Sequence, residues 1–166
     1  MGEDYCQRLE KLGVRMMKNE TMEFTDNILI TGLDMDKRFY KRFHKNPMEE
    51  TYLTNTLGEK KRNKFQILLA HNPDYFEEYS KWGADLVLSG HIHGGMVRIP
   101  FLGGVVSPAF RLFPPYDGGK FFLNDSCMIL SRGLGLHTIP IRIFNPGELV
   151  VVELKPKEKE RKQPVA

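Results

Sequence analysis

The sequence is poor in cysteine and in long apolar runs, and each shortage excludes something. Two cysteines in 166 residues, Cys6 and Cys127, supply neither a disulfide framework nor a paired metal-ligand motif. Free thiols of this kind fit a reducing compartment. No apolar stretch approaches the ~20 residues of a membrane helix, so no helical bilayer span is expected. Met1-Gly2-Glu3-Asp4-Tyr5 has neither the basic nor the apolar region of a secretory signal, and the chain reads as soluble. A dominant charge is lacking too: 24 bases stand against 21 acids. The excess of +3 resides in the tail beyond residue 154, while a basic stretch over 37–64 is offset by acidic stretches on either side. Such local basicity does not make a nucleic-acid stripe, and no nucleic-acid partner is expected.

What is present is globular. Apolar residues make up 41% and charged residues 27%, which excludes a disordered or fibrous chain. The length suits one ordinary domain or half of a larger one. Residues 1–12 predict a helix stopped by Gly13. Val14–Met17 and Asn27–Thr31 predict short strands joined by a polar turn. Asp36–Phe43 predicts a basic amphipathic helix, and a second helix is expected from Glu49 after Pro47. Phe65–Ala70 and Asp85–Ser89 are continuous apolar runs of strand length, as expected for parallel strands buried on both faces. A helix over 74–82, stopped by Gly83, links them. Shorter strands are expected at Met96–Ile99, Lys120–Leu123, Cys127–Ser131 and Glu148–Leu154, with a long Gly/Pro-rich loop over 101–119. The fold class is α/β with a mixed or antiparallel portion. Residues 1–154 form the domain, and 155–166 a charged, disordered tail.

Three of the five histidines follow the two best strands: His71 in His71-Asn72-Pro73-Asp74, and His91 and His93 in Gly90-His91-Ile92-His93-Gly94-Gly95. In an open α/β sheet ligands bind at the carboxyl ends of the strands, so the two loops are expected side by side. Imidazole is the commonest nitrogen donor to transition metals. On an extended segment, an H-x-H pair points both rings the same way about 7 Å apart, which suits one ligand to each of two metals. The glycines allow close approach of a phosphate or metal. Three histidines equally fit a structural zinc site short of its fourth ligand.

These two segments, Ile67–Asp74 and Ala84–Gly95, closely resemble the calcineurin-like metallophosphoesterase family, in its bacterial membrane-associated or exported phosphodiesterase branch. The likeness continues through Val97–Pro100, Ser131–Gly135, Pro140–Ile143 and Asn145–Glu148. It implies the C-terminal half of a two-sheet αββα sandwich with mixed sheets. It also implies hydrolysis of a phosphomonoester or phosphodiester by water activated between two divalent ions (Mn, Fe or Zn). His71 and His91 would then bind one ion and His93 the other, with Asn72, Gly94, Arg132 and His137 near the substrate. The family's D-x-H, G-D-x-x-D and G-N-H-[DE] motifs are absent. The chain is therefore expected to start just past G-N-H, to hold no catalytic acid or base of its own, and to be inactive alone. A missing N-terminal half, in cis or in trans, would complete the site. Without it, exposed apolar strands should cause self-association. The whole protein would be membrane-associated or exported.

Arg132 can pair a phosphate bidentately or make a salt bridge. His44, within the basic run, is expected to be a solvated helix residue, and Met96 replaces a glutamine usual in the family. The basic segment 37–45, with Phe39, Tyr40 and Phe43, either buries its aromatics in the core or lies on an anionic membrane. The alternative to a phosphoesterase fragment is accordingly a non-catalytic module, apo or with one metal, that binds a partner or membrane through this segment.

Overall fold

A computed structural model of the chain describes residues 2–41, 45–95, 97–99, 103–106, 112–135 and 142–156. The tail beyond Pro156, His44, Met96 and His137 lie outside these residues. The helices are α1 (Gly2–Lys11), α2 (Tyr52–Leu57) and α3 (Phe76–Trp82). The strands are β1 (Glu20–Thr25), β2 (Ile28–Leu33), β3 (Phe65–Ala70), β4 (Leu86–Ser89), β5 (Val97–Ile99), β6 (Gly103–Val106), β7 (Gly119–Leu123) and β8 (Ser126–Leu130). Six of the strands form one sheet in the order β1-β2-β3-β4-β8-β7, and β5 and β6 form a small antiparallel sheet. The four central strands run parallel, with antiparallel edges at β1 and β7. The class is α/β, with a mixed sheet as expected.

The two faces of the large sheet differ. On one, Leu33, Leu68, Ala70, Val87 and Met128 pack against Phe39, Leu53, Tyr75, Phe76 and Tyr79 from the helices and turns, forming the core. A polar line crosses this face from exposed Thr21 to buried Thr31 and Gln66: the Thr21 and Thr31 hydroxyls lie 2.7 Å apart, and Gln66 Nε2 donates to Thr31 Oγ1 at 2.7 Å. These bonds satisfy groups that would be costly to bury unpaired. On the opposite face, β3 leaves Phe65 40% and Leu69 36% exposed. Residues 148–154 run over part of that face, beside Leu88 and Ile129.

Several local expectations are corrected. Val14–Met17 forms no strand; β1 lies later, at Glu20–Thr25, because residue 17 passes over Gly32, with Met17 Cβ and its carbonyl filling the space of a side chain there. The basic helix reduces, in its described part, to a single 3₁₀ turn, Lys37–Tyr40, followed by extended Lys41. Burial decides this: Phe39 inserts edge-on between Tyr52 and Tyr75, at 4.8 and 5.2 Å between ring centroids. The helix expected over 74–82 starts as a 3₁₀ turn at Pro73–Tyr75 and becomes α3, ended by left-handed Gly83 as expected. The long loop over 101–119 contains β6. Glu148–Leu154 is not a strand, because β4 and β8 beneath it already have ladder partners on both edges.

Candidate functional site

The parallel arrangement of β3 and β4 brings their carboxyl ends together. Ser89 Oγ donates to the Ala70 carbonyl at 2.5 Å, and the Gly90 amide donates to the His71 carbonyl at 3.1 Å. These bonds join the two loops, and the rings of His71 and His91 meet edge-to-face with centroids 5.1 Å apart. His71 is exposed, yet desolvation by the surrounding protein lowers its pKa. The neutral ring, the form that binds metals, is thereby favoured.

The H-x-H segment departs from expectation. It is not extended: His91 has φ 70° and His93 φ 52°, and the turn is closed by Ile92 N–H to Gly90 O at 2.8 Å and Gly95 N–H to Ile92 O at 3.0 Å. Left-handed backbone at a residue with a Cβ is disfavoured and persists where its surroundings over-determine it. The two rings accordingly have different neighbours. His91 turns to His71, whereas His93 Nδ1 lies 3.4 Å from Arg142 Nη2.

The remaining sequence candidates have defined partners. Asn72 is buried; its Nδ2 donates to Phe39 O at 3.0 Å and its Oδ1 accepts the Asp74 amide at 3.1 Å. Gly94 is required by packing on the protein side: a Cβ there would meet Arg132 Cγ and Cδ at 2.7 Å and Asn145 Oδ1 at 2.8 Å. Arg132 makes the salt bridge, donating from Nη2 to Glu148 Oε1 at 2.8 Å while its amide donates to Oε2 at 3.0 Å. That contact holds the Glu148 carboxyl below the usual carboxylate range.

Sequence reasoning passed over three contributors. Tyr40, from the 3₁₀ turn, lies edge-on to His91 at 5.3 Å and 6.4 Å from His71. Burial, and then the charge of Asp34, raise its phenol pKa. Arg98 Nη1 donates to Gly94 O at 3.2 Å and Asp117 O at 2.9 Å. Asn145, 2% exposed, donates to the carbonyls of His93 and Gly95 at 2.6 and 2.7 Å. Arg98 and Asn145 lie in segments that carry the family likeness, and Tyr40 in the basic segment, but only tertiary contact shows that the three meet at the site.

Among the described residues, no three His, Cys, Asp or Glu side chains form a group able to hold a metal ion. The His71–His91 pair nevertheless fits two ligands of one ion by its donor chemistry, whereas His93 neighbours Arg142.

No family model matches the chain, and no solved structure does. Curated relatives do match. An uncharacterized metallophosphoesterase of Aquifex aeolicus is 33% identical over 152 residues, covering 90% of this chain and 54% of the relative. The uncharacterized metallophosphoesterase YkuE of Bacillus subtilis is 33% identical over 100 residues, covering 60% of this chain and 34% of the relative. The phosphodiesterase YaeI of Escherichia coli is 44% identical over 89 residues, covering 54% of this chain and 32% of the relative. The chain thus spans about half, or less, of the length of these relatives.

Proposed function

Because this chain belongs to the calcineurin-like metallophosphoesterases, we propose that it supplies part of a two-metal site that hydrolyses a phosphoester. The carrying observation is the 5.1 Å approach of the His71 and His91 rings at the mouths of adjacent parallel strands. His71 and His91 would hold one divalent ion, and His93 the other. When bound, such ions supply charge neutralisation and a water acidic enough to attack at neutral pH. The protein's own part is orientation. Desolvation favours the neutral ring of His71, the left-handed turn sets His91 beside His71, and Arg142 lies against His93. The resemblance to the phosphodiesterase YaeI favours a phosphodiester over a monoester.

The same reading makes the chain incomplete alone. The exposed part of the sheet face at Phe65 and Leu69, and residues 149–154, outside any ladder and with Leu149 and Val151 exposed, suit a further polypeptide layer. That layer would bring the missing carboxylate, asparagine and histidine motifs, in cis or in trans. The membrane alternative draws on the exposed bases Lys37, Arg38 and Lys41. Phe39 and Tyr40, however, turn inward, and Arg38 stacks on Phe39 at 4.8 Å.

The test is hydrolysis of bis-p-nitrophenyl phosphate with manganese. The expected result is no turnover by the 166-residue chain and metal-dependent turnover when the N-terminal part of the Aquifex relative is co-expressed with it. Robust turnover by the chain alone would overturn its incompleteness. Failure of the complemented pair to bind manganese would overturn the metal reading.

A further inference from the structure

The turn bearing His91 and His93 has a support that lies about 50 residues away in sequence. Its three consecutive carbonyls, at His93, Gly94 and Gly95, are each taken by a side chain from another segment. Asn145 Nδ2 donates to the first and third, at 2.6 and 2.7 Å, and Arg98 Nη1 donates to the second at 3.2 Å. Arg98 is held in turn by Asp117, at 3.1 Å to its carboxylate. Arg142 anchors the same C-terminal stretch by donating to the carbonyls of Arg132 and Gly135. Asn145 makes these two bonds at the expense of its own acceptor: Oδ1 is buried with no partner among the described groups. A buried unpaired acceptor is costly and rare in folded proteins. Its neighbour His93 sits at φ 52°, also a disfavoured state. Two unfavourable features side by side mark a conformation enforced by its surroundings.

We propose that Asn145 is the positioning residue of this site: its carboxamide locks the left-handed turn and thereby aims the His93 imidazole. The inference rests on the reading of His93 as a metal ligand, but the lock itself is a property of the metal-free chain. Asn145 touches no reacting group; it acts through the carbonyl of His93. Groups that orient a ligand in this way typically change metal affinity 10–100-fold when replaced.

Asn145→Asp keeps the shape and replaces the donor by an acceptor facing two carbonyl oxygens. Two readouts separate the claims. In the metal-free chain, amide hydrogen exchange at Ile92–Gly95 should rise by about tenfold or more, and the His93 imidazole nitrogen shifts should move. Leu68 and Val87, in β3 and β4, should keep their protection, and His71 its shifts. In a zinc titration by calorimetry, the component that His93→Ala abolishes should weaken at least about tenfold, with the His71-dependent component unchanged. If Asn145→Asp unfolds, Asn145→Ser, with one short donor, gives the same pattern at smaller amplitude. Unchanged turn exchange, or a loss of protection spread evenly over β3 and β4, overturns the proposal. Zinc binding that ignores His93→Ala, beside a turn that does respond to Asn145→Asp, overturns the ligand reading and leaves the lock standing.

Discussion

The His71 ring stands at 74° to that of His91, and the backbones that carry the two rings are bonded to each other through Gly90 N–H and His71 O. Gly90, with no side chain, packs against His71; a Cβ there would lie 3.4 Å from His71 Nδ1. The two loops are therefore stitched before any ligand arrives. A site built this way loses less entropy on binding than one assembled by the ligand.

If both rings serve one ion, their contributions are coupled. His71→Ala and His91→Ala should each lower zinc affinity about tenfold or more. The double variant should be little worse than either, since a single donor no longer chelates. Additive losses in calorimetric titrations would show two independent sites.

Tyr40 should be a packing residue of the histidine pair. Tyr40→Phe keeps the edge contact with His91 and should change thermal stability little. Tyr40→Ala removes a half-buried ring and should cost about 1–2 kcal/mol, less than a fully buried aromatic. Its urea midpoint should fall accordingly, whereas an unchanged midpoint would mean that the ring contributes no packing.

Stability should fall with acid through His71. Burial lowers its folded pKa below the ordinary 6.5, so between the two values the unfolded chain binds more protons. Stability therefore rises with pH across that window and levels off above it. Denaturant midpoints should drop from pH 7.5 to below pH ~6.5, and His71→Gln should flatten that part of the profile. An identical slope in the variant would assign the acid loss to other groups.

The open sheet face should drive association of the isolated chain. Phe65, at 40% exposure, and Leu69, at 36%, lie on the same side of β3, and Phe122 on β7 is 72% exposed. Light scattering should detect species above monomer at micromolar concentration, reduced by Leu69→Lys. A clean monomer would show that residues 148–154 cover the face sufficiently.

Much of the chain's organisation follows from its own residues. The apolar runs of β3 and β4 mark them as central strands, but the expected burial of β3 on both faces is corrected, since Phe65 and Leu69 stay exposed on one of them. Gly13 and Gly83 both adopt the left-handed conformation that ends a helix. The positions of His71 and His91, directly after those strands, made their meeting foreseeable, because parallel neighbours share a carboxyl end.

Other features belonged to contacts far apart in sequence. Asp36–Phe43 has the spacing of a helix, yet Phe39 gains more by entering the core between two tyrosines than by continuing one. Glu148–Leu154 carries a strand-like apolar run, Leu149–Val152, but meets no free ladder edge. Gly94 is recognisable as a special position, whereas its cause, the side chains of Arg132 and Asn145, lies some 40 to 50 residues away. Local sequence thus determined which donors the chain offers and which strands carry them. The tertiary structure decided where each imidazole points, because that direction is set by carbonyls held from distant segments and not by the spacing of H-x-H.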